Sequence, residues 1–140
     1  MKQFIILGSC LIFLMAGCAS SIKKLNQADY PTQTYTQPYD LVFKKTMDAL
    51  NEQPGWILNP TNKTDGIIEI SNNQYMNWMD MDTQKARFLI KAVSRTQTSV
   101  QFDAEHSICK DRNCEKLFDG VKRVLDVLPP PKEAAPKPAE

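Results

Sequence analysis

Ser99 to His106 (SVQFDAEH) alternates apolar and polar side chains, Lys85 to Ser94 (KARFLIKAVS) sets Ala86, Phe88, Ile90 and Ala92 on one face, and only Arg95-Thr96-Gln97-Thr98 separates them. Successive side chains of a strand point to opposite faces, so each segment predicts a strand with one face to bury. A link this short must reverse the chain, because a parallel crossover needs a dozen or more residues. The chain is thereby committed to an antiparallel sheet with an apolar face that another element has to cover.

Two amphipathic segments can cover it. Asp40 is placed to cap a helix running to about Glu52, with Val42, Phe43, Thr46, Met47 and Leu50 along one stripe. Pro54-Gly55 stops that helix, and Trp56-Ile57-Leu58 reads as a short strand. Asn59-Pro60-Thr61-Asn62 and Asp65-Gly66 are turn signals, and GIIEIS begins a second strand at Gly66. Near the end, EKLFDGVKRVLDVL sets Leu117, Phe118, Val121, Val124, Leu125 and Leu128 on one helical face. The predicted fold is α+β: a four-stranded antiparallel sheet with an N-terminal and a C-terminal helix packed on one face.

The flanks read differently. Residues 1–17 have one charge, Lys2, then an apolar run from Phe4 to Ala16, the pattern of a cleaved signal peptide. Residues 18–38 are rich in Ser, Gln, Thr and Tyr and read as a tether. Residues 39–128 make the domain. Residues 129–140, PPPKEAAPKPAE, hold five prolines and read as an extended tail; at about 3.1 Å per residue the tail spans roughly 37 Å. A solvated tail and a docking strip for an envelope component are both open readings of it.

Met15-Ala16-Gly17-Cys18 resembles the lipobox of bacterial lipoproteins, with Met15 where leucine is usual. The resemblance implies that Cys18 becomes the first mature residue and is acylated, anchoring the protein by lipid. Ala19-Ser20 follow the cysteine in place of the family's retention aspartate, which implies sorting to the outer membrane, facing the periplasm. The alternative is an ordinary signal peptide with a chance cysteine. Of the four cysteines, Cys10 leaves with the signal peptide and Cys18 takes lipid, so Cys109 and Cys114 of CKDRNC remain. In an oxidising compartment they are expected to form a structural disulfide. The loop is small, so its entropic contribution is only about 2 kcal/mol. Lys2 also leaves, and 16 of the 17 Lys and Arg then stand against 16 Asp and Glu. A neutral chain without a basic stripe excludes nucleic acid as a partner.

The helix, strands, helix order also resembles the helix-grip domains of the C subunit of the outer-membrane β-barrel assembly machinery. The matching features are Asp40 to Leu50, Pro54-Gly55-Trp56, Asp65-Gly66-Ile67-Ile68 and the closing helix. The cysteine pair is not part of that pattern. The resemblance implies a binding scaffold rather than an enzyme.

Residues 73–82, NQYMNWMDMD, concentrate soft and aromatic side chains. If the second strand continues through them, Met76 and Trp78 share the face of Ile68 and Ile70. Three readings follow. Met76 and Trp78 pack under a helix end while Met79 and Met81 turn the chain. Alternatively, Tyr75, Met76, Trp78, Met79 and Met81 form a partner-binding patch, since adaptable methionines and rigid aromatics suit interfaces. In the third, Met76, Met79, Met81 and His106 bind copper(I), because thioethers select soft ions. The cluster distantly resembles the methionine-tryptophan copper sites of periplasmic carriers. His106 itself is expected at the core edge, on the face of Val100, Phe102 and Ala104.

No nucleophile-base, metalloprotease or phosphate-loop motif appears, and no cofactor is expected. The sequence thus points to a non-catalytic lipoprotein that binds an envelope protein partner, with metal or small-ligand binding as the alternative.

Overall fold

The computed structural model describes residues 24–72 and 84–130. The elements run β1 (Gln33–Tyr35), α1 (Tyr39–Asn51), β2 (Trp56–Leu58), β3 (Ile67–Asn72), β4 (Gln84–Ser94), β5 (Gln97–Phe102) and α2 (Asp111–Asp126), after one 3-10 turn, Gln27–Asp29. The fold is α+β. Its five strands form one sheet in the order β1-β5-β4-β3-β2, and every pairing is antiparallel.

The expected four strands are therefore five, and the additional one comes from the stretch read as tether. A run of Gln, Thr and Tyr shows no apolar period, but β1 pairs Gln33 with Val100 and Tyr35 with Thr98 along the edge of β5. Gln27 fastens the segment further: its Nε2 donates to the Phe102 carbonyl at 2.8 Å, and its Oε1 accepts from the Ala104 N–H at 3.0 Å. Buried Tyr30 stacks near Phe102, with centroids 4.5 Å apart, and meets Phe118 edge-on. Long-range contacts of this kind leave no local signature.

Helix α1 buries Val42, Phe43, Thr46, Ala49 and Leu50. Its N-cap is Pro38, without a side-chain cap bond, and Asp40 lies inside the first turn. There the carboxylate complements the helix dipole and pairs with Lys63 at 2.8 Å. Helix α2 starts four residues earlier than the apolar face suggested, within the cysteine pair, and buries Leu117, Val121 and Leu125. Both helices join Ile68, Ile70, Ala86, Phe88, Ile90, Val100 and Phe102 in one core cluster. Phe88 and Phe102 meet edge-to-face at 5.3 Å.

Gly66 fixes how β3 enters the sheet. Its φ of 69° is left-handed, and a Cβ there would collide with the Ile90 carbonyl. The glycine carbonyl accepts from the Ile90 N–H at 2.7 Å.

Candidate functional site

The helices cover one face of the sheet, and the opposite face is built in rows. In the middle row Glu69 pairs with Arg87, and the Asp103 N–H donates to the Arg87 carbonyl at 2.8 Å. Arg87 Nε lies 3.7 Å from Glu69 Oε1 and 3.8 Å from Asp103 Oδ2. It is buried and donates no hydrogen bond among the described residues. The Asp103 side chain is 11% exposed and contacts His106 Nδ1 through both oxygens, at 2.9 and 3.1 Å.

The turn from 103 to 107 fastens this row. The Ser107 hydroxyl donates to the Asp103 carbonyl at 2.6 Å and accepts from the Arg87 N–H at 2.9 Å. The His106 N–H donates to Asp103 Oδ1 at 3.3 Å. Here the core-edge expectation for His106 is corrected. Strand β5 ends at Phe102, so alternation does not carry to His106. Its side chain is 58% exposed and is held by Asp103. A carboxylate on Nδ1 orients the ring and leaves Nε2 as the atom able to accept a proton or meet a ligand.

Flanking this row, Ile57 pairs with Ser71, Ser71 with Lys85, and Lys85 bridges to Ile108. Ile57 and Ile108 are 56% and 53% exposed at its two ends. On the other side Ile67, Leu89 and Gln101 form a half-buried row. The face thus presents aliphatic groups around charges whose positions are set by their own neighbours.

Cys109 and Cys114 stand at disulfide distance, with Cα atoms 5.9 Å apart, and both are buried. The pair ties the residue before the Lys110 N-cap to the first turn of α2. Cys18 and the cluster Tyr75, Met76, Trp78, Met79 and Met81 lie outside the described residues. The paired residues on either side of that cluster, Asn72 and Gln84, are 6% and 5% exposed. Gln84 Oε1 accepts from the Lys110 N–H at 3.3 Å and from Asn113 Nδ2 at 2.9 Å. Among the described residues no three His, Cys, Asp or Glu gather as a metal-ligand group, and no helix is long and apolar enough to cross a membrane.

At the far end of the sheet a shallow groove of about 680 Å³ runs past Tyr39, Lys63, Gly66 and Lys91. Burial raises the Tyr39 phenol, and the Asp40 and Asp65 carboxylates raise it further against the opposing effect of Lys63. The hydrogen bond to Asp40 raises Lys63. On the covered side burial, then the Asp126 carboxylate, pushes Tyr35 up to about 12.

No protein-family model matches the chain, and no curated protein matches it in sequence. Sequence reasoning missed the Glu69-Arg87-Asp103 row. Its signal was present in the outward positions of β3 and β4, but the third member lies just past the end of β5.

Proposed function

We propose that this protein is a non-catalytic binding module of a bacterial envelope, lipid-anchored through Cys18 in the outer membrane, that holds a protein partner on the open face of its sheet. The observation that carries the reading is the pairing of exposed Ile57 and Ile108 with the ordered Glu69-Arg87-Asp103 row. Aliphatic contact area beside prealigned charges suits protein recognition, where charge complementarity sets register and specificity. The anchor rests on the lipobox-like Met15-Ala16-Gly17-Cys18.

Photo-crosslinking residues placed at Ile57 and at Ile108 in living cells test the interface. A discrete heavier band from both positions, absent from exposed Val127 on the helix side, is the expected result. Bands from Met79 alone would move the interface to residues 73–83 and sink the open-face reading. Mass spectrometry of the mature N-terminus tests the anchor, since an unmodified Cys18 or cleavage elsewhere overturns it.

A second reading, copper binding, draws on the Asp103-held ring of His106 and on Met76, Met79 and Met81. The Lys85–Ile108 bridge sets the His106 turn beside the start of β4, the strand into which residues 73–83 lead. A copper(I) titration followed by tryptophan fluorescence separates the readings, because a flat response removes this one.

A further inference from the structure

A second concave site lies on the helix-covered side, at the end of the sheet where β2 and β3 meet the helices. It is a cleft of about 230 Å³ between Gln53 and Pro54 after α1, Trp56 on β2, Asn72 on β3, and Asn113 and Lys116 on α2. Buried Leu117 also lines it.

Its polar groups are set in place. Gln53 Nε2 donates to the Ala49 carbonyl at 3.2 Å. The same amide crosses α2 at Gly120, where a Cβ would come within 2.9 Å of it. Asn113 Nδ2 donates to Gln84 Oε1 at 2.9 Å. Both amides thus have their nitrogens engaged, and Gln53 Oε1 and Asn113 Oδ1 accept no hydrogen bond among the described residues. Exposed Lys116 adds one cationic donor, Trp56 adds a half-buried indole, and no carboxylate is among the described lining residues.

These groups select a ligand. A cation would meet Lys116 and no carboxylate among the described lining residues. A wholly apolar group would leave the amide oxygens desolvated and unpaired. A ligand with hydroxyl or N–H donors, one carbonyl acceptor and a C–H face satisfies all of them at once. The cleft is smaller than the roughly 300–1,000 Å³ of drug-sized sites, so it takes one ring of a longer molecule. We propose that the cleft between Gln53, Trp56, Asn113 and Lys116 binds one N-acetylated sugar ring of a glycan chain. The ring lies on the Trp56 indole, its hydroxyl and acetamido N–H groups donate to Gln53 and Asn113, and its acetamido carbonyl accepts from Lys116. This site is separate from the open face and does not depend on it.

The test is a titration of full-length, ¹⁵N-labelled protein in detergent micelles, read at the Trp56 indole N–H and assigned with Trp56→Phe. The probes are chitotetraose, cellotetraose and tetra-alanine. Chitotetraose should shift the Trp56 signal saturably. Cellotetraose, which lacks the acetamido group, should bind about tenfold more weakly. Lys116→Gln alters an exposed side chain and leaves folding intact, and it should weaken chitotetraose several-fold. Equal affinity for cellotetraose, tighter binding of tetra-alanine, a response confined to Trp78, or an unmoved Trp56 signal would each overturn the proposal.

Discussion

Ile68, Phe88 and Phe102 lie side by side across three strands and are fully buried, whereas their chain neighbours Glu69, Arg87 and Asp103 form a charged row on the opposite face. Both rows rest on the same backbone ladder. The first is held by apolar area removed from water, worth about 25 cal/mol per Å². The second gains little from its ion pairs, because at 3.7 and 3.8 Å they leave the buried Arg87 Nε without a hydrogen bond among the described residues and desolvation offsets their attraction. Stability thus resides on the covered face, and the proposed recognition draws on the face that the described helices leave open.

Truncation on each face breaks or sharpens this contrast most directly. Phe88→Ala should cost about 3–5 kcal/mol in urea denaturation, since it opens a cavity in the core between the sheet and the helices. Leu89→Ala, its immediate neighbour on the open face, should cost under about 1 kcal/mol. Equal losses would mean that the open face is covered and that both faces carry the stability.

Replacing Cys109 and Cys114 together by serine should remove about 2 kcal/mol, matching the effect of adding reductant to the native protein. Should reductant leave the denaturation midpoint unmoved, the two thiols are unlinked in solution. On the open face, Asp103→Asn should cost about 1 kcal/mol while releasing the His106 ring. Imidazole nitrogen shifts report that release, and ring signals identical to the parent protein would contradict the pairing.

The smallest effect belongs to the margin of the covered face. Burial and Asp126 push Tyr35 from 10.0 up to about 12, so the folded state keeps its proton where the unfolded chain loses it. The sign follows from linkage: this contribution is whole below pH 10 and is lost as pH rises toward about 12. Tyr35→Phe should flatten stability across that window, and an unchanged alkaline slope would assign the loss to other groups.

Much of the architecture was legible because it is local. The strand period in Lys85 to Ser94 set Ala86, Phe88, Ile90 and Ala92 on one face, of which the first three are buried and Ala92 is exposed, and the apolar stripes identified both helices. Boundaries were less legible. The turn after Ser94 is shorter than expected, β5 stops at Phe102, and α2 begins within CKDRNC. Strand ends depend on which partner is available for hydrogen bonding, and no side-chain period records that. For the candidate site, His106 stood out by its chemistry, but its partner Asp103 did not.

By itself, the sequence determined an α+β chain with an antiparallel sheet and two amphipathic helices, because periodicity and turn residues act over a few positions. Only the tertiary structure decided that Gln33–Tyr35 closes the sheet as a fifth strand. It alone also gathered Glu69, Arg87, Asp103 and His106 into one row, and Gln53, Trp56, Asn113 and Lys116 around one cleft. These sets draw on residues up to 63 positions apart, and proximity at that range comes from the packing of the core rather than from any local pattern in the chain.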